Sequence, residues 1–239
     1  MRAPRGLLFD YGGTLVEEVG YDARAGHQAV LARVGGQGVV DLEELVRRAE
    51  RISRELGALR VLAQVETPWT AQARLLHDSL GIRVDEPLSA LERVFWRACA
   101  ETLPMRGAAA ALEAFAQRGL PMGVVSNSSF GGEVLRDELS RHGLDRHLAF
   151  VMASADYALR KPRPLLFEVA AAKLGLAAED VWFVGDRLDT DVAGARAAGM
   201  TAVWLRPASA DGAPDPDLAV AGWSELLEHV ERALSPPVP

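Results

Sequence analysis

Short apolar runs alternate with longer stretches of helical periodicity along most of the chain. Five runs of three to five mostly apolar residues, each followed by small or acidic residues, predict strands at Leu7–Phe9, Met122–Val125, Phe150–Met152, Val181–Val184 and Thr201–Leu205. Between them, apolar residues recur every three or four positions, which predicts helices over Ala108–Arg118, Gly132–Arg141, Pro164–Leu174 and Asp191–Ala198. Strands that alternate with helices are typical of a parallel sheet. The pattern therefore predicts an α/β fold whose parallel sheet carries helices on both faces.

Residues 17–103 break this alternation, because helical spacing of apolar residues continues throughout. The spacing predicts four helices, over Tyr21–Val34, Asp41–Leu62, Thr70–Leu80 and Leu88–Leu103. Asp41 and Thr70 are residue types that favour helix N-termini. We therefore expect an all-helical domain at 17–103, inserted after the first strand of a core formed by 1–16 and 104–239. In that core, residues 208–217 are rich in Pro, Gly and Asp and predict a surface loop, and residues 235–239 predict a loose tail.

Composition narrows the class of protein. The chain has 239 residues, of which 49% are hydrophobic, enough to bury a core. Its net charge of −7 comes from scattered acids, so it lacks the basic face of a nucleic-acid-binding protein, and we expect no nucleic-acid partner. Cys99 is the single cysteine, which excludes an internal disulfide and fits a reducing, cytoplasmic setting. The apolar run before Asp10 is too short for a signal peptide or a membrane span, so we expect no membrane association.

Reactive side chains follow the predicted strands. Asp10 follows the first strand, Ser126 and Asn127 follow the second, the loop after the third contains Lys161, and the fourth leads into Gly185 and the acids Asp186, Asp189 and Asp191. Only two of the 26 basic residues are lysines, which makes Lys161 conspicuous. Ligands of an open parallel sheet bind beyond the carboxyl ends of the strands. We therefore expect these side chains to converge on one crevice.

This set of groups suits phosphoryl transfer through a covalent intermediate. A carboxylate such as that of Asp10 can attack phosphorus once nearby positive charge offsets its own charge. Mg²⁺ is usually held by one or two carboxylates, here Asp10 and Asp186, and keeps sites for water and phosphate oxygens. Lys161 can neutralise a phosphate oxygen, while Ser126 and Thr14 can donate hydrogen bonds as charge spreads in the transition state.

Four segments of the chain resemble the motifs of the haloacid dehalogenase superfamily, whose members are mostly magnesium-dependent phosphatases. The segments are Asp10 with Gly13-Thr14-Leu15, Val124-Val125-Ser126-Asn127, Arg160-Lys161-Pro162-Arg163-Pro164 through Phe167, and Val184-Gly185-Asp186 with Asp191, Gly194 and Ala198-Gly199-Met200. They occur in the family's order and extend through the whole predicted core. The resemblance implies a Rossmann-like core, and the helical insertion matches the position of the family's cap domain.

The same resemblance implies a role for each matched residue. Asp10 is expected to be the nucleophile, Ser126 and Lys161 to bind phosphate with Asn127 beside them, Asp186 to bind the metal and Asp191 to support or join its ligands. Position 12 lends the metal a backbone carbonyl in the family, which Gly12 can still do. The implied activity is hydrolysis of a small phosphorylated metabolite with Mg²⁺ as cofactor.

Gly12 departs from the family pattern, which has an aspartate there to protonate the leaving oxygen and then activate water. General acid–base help contributes about 10² to 10⁴ in rate, so its loss slows turnover without abolishing binding. Three explanations stay open: another acid such as Glu17 or Glu18 reaches in, the leaving group needs no proton, or the protein binds phosphate without turnover. Metal-free 2-haloacid dehalogenases carry a tyrosine two places after the nucleophile, whereas Tyr11 is one place after Asp10, so a dehalogenase is the less favoured alternative.

The predicted cap contains no lysine, which disfavours the phosphonate-hydrolase branch, whose members use a cap lysine. Several large cap side chains could face a substrate, although core packing or a solvated helix face is the commoner use of such residues: Arg24, His27, Trp69, His77, Trp96 and Arg97.

Overall fold

The computed structural model describes residues 1–35, 40–205 and 216–235. Most of the predicted loop at 208–217 and all but Ser235 of the predicted tail at 235–239 lie outside the described residues. Within the described ranges, no helix combines the length and the apolar character needed to cross a bilayer.

Six parallel strands form the central sheet of the protein. In chain order they are β1 (Gly6–Phe9), β4 (Met122–Ser126), β5 (Leu148–Ala153), β6 (Val181–Gly185), β7 (Thr201–Leu205) and β8 (Leu218–Val220). Their spatial order is β5-β4-β1-β6-β7-β8, and every neighbouring pair is parallel. All five predicted strands are confirmed. The sixth, β8, is a three-residue strand that was not predicted from the sequence.

Helices cover both faces of this sheet, as the alternating pattern predicts. The helices of the core are α5 (Ala108–Gln117), α6 (Gly132–Arg141), α7 (Ser154–Tyr157), α8 (Pro164–Lys173), α9 (Ala193–Ala197) and α10 (Trp223–Leu234). Successive residues of β1 pack on opposite faces, because side chains alternate along a strand. Leu7 and Phe9 join a cluster that includes Phe115 and Trp223, whereas Leu8 joins one that includes Phe167.

The predicted helix at 191–198 is shorter than expected. A π-helical turn over Leu188–Val192 precedes α9 and carries Asp191. In that turn the backbone N–H groups of Asp191 and Val192 both donate to the carbonyl of Arg187, at 3.0 and 3.1 Å. Such turns are frequent at functional sites.

The inserted segment contains four helices and two strands. The helices are α1 (Ala23–Arg33), α2 (Leu42–Leu62), α3 (Trp69–Ser79) and α4 (Leu88–Cys99), and the strands are β2 (Val16–Tyr21) and β3 (Ala100–Pro104), which pair antiparallel. The expectation of helices throughout 17–103 is therefore wrong at both ends, where Tyr21 and residues 100–103 lie in strands. The two strands are about 80 residues apart in the chain, and a local periodicity cannot reveal such a pairing.

The two predicted helix caps have different outcomes. Asp41 caps α2, because its carboxylate accepts the N–H of Glu43 at 3.3 Å. Thr70 is not a cap, since α3 already begins at Trp69, directly after Pro68. Pro68 is the N-cap residue of α3, and no side chain caps this helix.

Candidate functional site

A cavity of about 270 Å³ lies at the carboxyl ends of β1, β4 and β6. It is lined by Asp10, Tyr11, Gly12, Glu18, Ser126, Asn127, Ser128, Leu135, Arg160, Lys161, Arg187 and Thr190. Asp10 and Ser126 stand at the ends of neighbouring strands, and the Lys161 loop crosses beside them. Four of the groups predicted to converge on one crevice line this cavity, namely Asp10, Ser126, Asn127 and Lys161, whereas Asp186, Asp189 and Asp191 are not among its lining residues.

Lys161 is the electrostatic centre of this cavity. Its Nζ lies 2.6 Å from Asp10 Oδ1 and 2.7 Å from Asp191 Oδ1, and it also donates to the carbonyl of Val125 at 2.9 Å. Lys161 is 3% exposed. Burial alone would lower the pKa of this ammonium, but the two carboxylates outweigh that effect and raise it. Lys161 is therefore held charged between Asp10 and Asp191.

Asn127 holds the backbone of Lys161 in place. Its side-chain Oδ1 accepts the Lys161 N–H at 2.8 Å, and its Nδ2 donates to the Lys161 carbonyl at 3.0 Å. Both ends of the amide are thus engaged within the protein, which makes Asn127 a support for Lys161. Ser126 is buried and lines the cavity beside Asp10.

Three carboxylates gather at one side of the cavity. Asp10, Asp186 and Asp191 each offer an oxygen within 4.8 Å of the others. Burial raises the pKa of Asp10 and of Asp186, and it raises the pKa of Asp191 to about 6. When all three are ionised, their charges and that of Lys161 leave a net −2, which a divalent cation would offset.

The residues present fit such a cation. Asp186 Oδ1 is buried and has no hydrogen-bond partner among the residues that the structure describes, and a buried unpaired carboxylate oxygen is costly. Asp191 is oriented by the backbone N–H of Arg187, which its Oδ2 accepts at 3.1 Å. An oxygen-only set of carboxylates is the donor type that Mg²⁺ prefers.

Two glycines, which have no side chain, make room for the carboxylates of Asp186 and Asp191. A Cβ on Gly13 would lie 2.3 Å from Asp186 Oδ2, and a Cβ on Gly185 would lie 2.4 Å from Asp191 Oδ2. Gly13 also has a φ of +73°, which favours glycine. The glycines in the first and last motifs are therefore part of the acid cluster.

Thr14 is not among the residues that line the cavity, in contrast to its predicted role as a substrate contact. It is fully buried, and its carbonyl accepts the indole N–H of Trp223 at 3.1 Å. Its hydroxyl has no partner in the described part of the chain.

Four further polar residues line the cavity but were not predicted as site residues from the sequence, namely Ser128, Arg160, Arg187 and Thr190. All four lie in or next to the motif segments, and that position in the sequence could have identified them.

The inserted segment 17–103, which is called the cap below for its position in the chain, lines a second cavity of about 440 Å³ together with Ser129 of the core. Four of the six large cap side chains noted in the sequence line it, namely Arg24, His27, Trp69 and His77, and Trp96 and Arg97 do not. Burial lowers the pKa of His27 to about 4 and also lowers that of His77. The rings of Trp69 and Phe95, which both line this cavity, lie 5.1 Å apart, and the charged residues Arg24, Glu50 and Arg60 also line it.

Comparison with known proteins identifies the family to which the chain belongs. The family model described as haloacid dehalogenase-like hydrolase matches residues 4–199. The chain belongs to this family. The resemblance seen in the four motifs is confirmed, and so is the α/β fold.

Relatives of this hydrolase include enzymes of more than one activity. The phosphoserine phosphatase of Thermus thermophilus is 37% identical over 103 residues, which are 41% of this chain and 41% of that protein. The chain thus spans less than half of that relative's length in the match. The phosphoglycolate phosphatase of Shigella boydii serotype 4 is 28% identical over 215 residues, 84% of this chain and 81% of its own. The crystal structure of a 2-haloacid dehalogenase from Pseudomonas syringae pv. Tomato superimposes with a TM-score of 0.69 at 24% identity, covering 97% of this chain and 99% of that one, and shows the shared fold.

Proposed function

We propose that this hydrolase cleaves a small phosphate monoester through an aspartyl-phosphate formed on Asp10, with Mg²⁺ as cofactor. The observation that carries the proposal is the position of Lys161 Nζ, 2.6 Å from Asp10 Oδ1 and 2.7 Å from Asp191 Oδ1, beside the third acid Asp186. Named phosphatases among the relatives support the substrate class.

Asp10, Asp186 and Asp191 would hold the cation, with the carbonyl of Gly12 as a further oxygen. Bound there, Mg²⁺ supplies positive charge that lets an anionic phosphate approach the carboxylates. The three acids and Lys161 have a combined charge of −2 when ionised, so without added positive charge they would repel a phosphate.

The chain's own residues account for the first half of the reaction. Asp10 attacks phosphorus, and the bond from phosphorus to the leaving oxygen breaks. Lys161 balances charge on the phosphoryl oxygens, and Ser126 donates a hydrogen bond from its hydroxyl. Asn127 keeps Lys161 in position through its two backbone contacts. Closure of the cap over the cavity would exclude water until the leaving group departs.

A panel of phosphate esters assayed with and without Mg²⁺ tests this proposal. We expect the wild-type protein to release inorganic phosphate from at least one ester in the presence of Mg²⁺. Asp10→Asn should abolish the release, because an amide is a poor nucleophile. Asp85→Asn is a matched control, since Asp85 is an exposed acid that pairs with the exposed Arg83 and is not among the residues lining the cavity.

Three results separate this proposal from its alternatives. Phosphate release that is equal in Asp10→Asn contradicts it. Silence on all esters, together with a melting temperature that phosphate raises, points to a phosphate-binding protein instead. Halide release from 2-haloacids without metal indicates a dehalogenase.

A further inference from the structure

Position 12, in the turn after β1, has room for a side chain, and the carboxylate of Glu18 in β2 borders that space. A Cβ placed on Gly12 would have a single heavy atom of the described structure within 4 Å, apart from its chain neighbours. That atom is Oε1 of Glu18, at 3.8 Å. Gly12 is not in the left-handed region of backbone space, so glycine is not required there by its φ angle. The space beside Gly12 is therefore bordered by an acid that is six residues further along the chain.

The fold places Glu18 there through the strand β2. Val16 and Glu18 are two residues apart, so their side chains are on the same face of the strand, and Val16 is fully buried. The N–H of Gly13 donates to the Val16 carbonyl at 2.8 Å, which fixes the glycine turn against the start of β2. The side chain of Glu17 lies on the opposite face of β2, and Glu17 is not among the residues lining the cavity.

The pairing of β2 with β3 fixes Glu18 from the other side. Glu18 is opposite Thr102 in the antiparallel ladder. The hydroxyl of Thr102 is bonded to buried Glu138 and lies 2.8 Å from His142 Nε2, so this part of β3 is anchored to the core.

The carboxylate of Glu18 is free to exchange a proton with a bound substrate. It lines the cavity that contains Asp10, Ser126 and Lys161, and its residue is also exposed to solvent. Among the described residues it has no hydrogen-bond or ion-pair partner.

We propose that Glu18 is the proton-transfer residue of this hydrolase and takes the role that an aspartate at position 12 has in related phosphatases. The inference rests on the proposed function. While Asp10 attacks phosphorus, the Glu18 carboxyl gives its proton to the leaving oxygen as the phosphorus–oxygen bond breaks. The resulting carboxylate then takes a proton from the water that attacks the phosphoryl group on Asp10. The phosphorus–Asp10 bond breaks, phosphate leaves, and Glu18 is protonated again.

Two aryl phosphates that differ in leaving group test this role in the protein assayed with Mg²⁺. p-Nitrophenolate leaves without a proton, whereas phenolate needs one. We expect Glu18→Gln to lower kcat/KM for phenyl phosphate by about 10² to 10⁴ and that for p-nitrophenyl phosphate much less. Because the second step also loses its base, p-nitrophenyl phosphate should give a burst of about one p-nitrophenolate per protein molecule, followed by slow turnover.

Glu17→Gln is the matched control, because it makes the same change on the adjacent residue of β2. It should keep wild-type kinetics on both substrates and show no burst. A second variant combines Gly12→Asp with Glu18→Gln. Its kcat/KM for phenyl phosphate should be at least about tenfold higher than that of Glu18→Gln alone, since the new carboxylate enters the space that Glu18 borders. If Glu18 has no part in proton transfer, Gly12→Asp should change phenyl phosphate activity by the same factor alone and in combination with Glu18→Gln, whereas a larger gain in the combined variant supports the inference.

The outcomes separate this inference from the proposed function. If Glu18→Gln changes both substrates equally and shows no burst, or matches Glu17→Gln, while wild-type activity still depends on Asp10, the inference alone is overturned. If the wild-type protein has no Asp10-dependent activity, the proposed function fails and the inference fails with it.

Discussion

Lys161 contacts two carboxylates at once in an almost fully buried position, so its removal should affect stability as well as activity. Lys161→Met leaves Asp10 and Asp191 without the ammonium that lies 2.6 and 2.7 Å away. Breaking a buried ion pair from one side costs about 3–5 kcal/mol in the free energy of unfolding. Urea unfolding at pH 7 measures the loss, and Mg²⁺ should recover part of it because the cation offsets the same charges.

The second lysine is the natural control for this variant. Lys173 is exposed, and its Nζ lies 5.3 Å from the ring centre of Phe150. Lys173→Met should cost less than about 1 kcal/mol, the usual range for an exposed cation–π contact. Equal losses in the two variants would mean that Lys161 does not compensate the acids.

For single residues, the sequence predicted which side chains come near one another but not which of them form ion pairs or contacts. Asp10, Ser126, Lys161 and Asp186 were identified from their positions after strands and from the family motifs. The contact of Lys161 with Asp191 and the position of Glu18 beside Gly12 depend on side chains brought together by the folded loops and by β2. Spacing along the chain contains no information on such distances.

Helix α6 begins at a contact between the cap and the core, and an acid from the cap lies at its N-terminus. Glu92 of α4 accepts the N–H of Gly131 at 3.1 Å through Oε1. Burial raises the pKa of Glu92 to about 7, with a further rise from Asp156 and an opposing effect of that backbone N–H and of Arg93. The folded protein therefore binds a proton here more tightly than the unfolded chain does.

This raised pKa predicts a pH dependence of stability. A group whose pKa is higher in the folded state stabilises the fold below its unfolded pKa, and this contribution is lost as the pH rises through the folded value. Here the loss extends from about pH 4.5 to about pH 7. Glu92→Gln keeps the acceptor oxygen and removes the charge, so the variant should be more stable than wild type at pH 8 by about 1–2 kcal/mol.

Urea unfolding of wild type and Glu92→Gln at pH 5 and pH 8 checks this expectation. The difference between the two proteins should be small at pH 5 and should appear at pH 8. A difference that is the same at both pH values would contradict a raised pKa for Glu92.

Elements were predictable where their signal is local. The five core strands that were predicted have apolar runs of their own, and α2 has both a cap residue and a long helical period. Strands β2 and β3 pair with each other although residues 22–99 separate them in the chain. Their exposed residues include the apolar side chains Val19, Tyr21 and Leu103, so no alternation of apolar and polar residues marks them as strands.

For the molecule as a whole, the apolar core continues from the sheet into the cap. One cluster contains Phe9 of β1 and Phe130 of the core together with Trp69, Phe95 and Trp96 of the cap. The ring of Phe130 lies 4.7 Å from that of Trp96. The insertion could be predicted as a separate helical segment, but its shared packing with the core is a property of the folded chain.

Residues 63–69 form a second junction between cap and core, at the edge of the candidate site. Glu66 is 2% exposed, and its carboxylate accepts a hydrogen bond from Ser154 Oγ at 2.7 Å and forms ion pairs with Arg60 and Arg160. The backbone N–H of Trp69 also donates to the carbonyl of Ser129 at 2.7 Å. Because Arg160 lines the cavity, this junction connects cap position to the site.

Glu66→Ala should therefore destabilise the whole protein in a single unfolding transition. It removes the shared partner of two arginines and one of the two acceptors of the Ser154 hydroxyl, which keeps only the carbonyl of Ser128. The expected cost is about 3 kcal/mol, the low end for a buried pair, because both arginines also reach water. Glu55→Ala is the control, since Glu55 is exposed and pairs only weakly with Arg51 at 3.7 Å, and it should cost less than about 1 kcal/mol. Urea transitions followed by tryptophan fluorescence and by far-ultraviolet circular dichroism should coincide in wild type and in both variants, because Trp69 and Trp96 share a cluster with the core. Separate transitions for the two signals would show that the cap unfolds independently of the sheet.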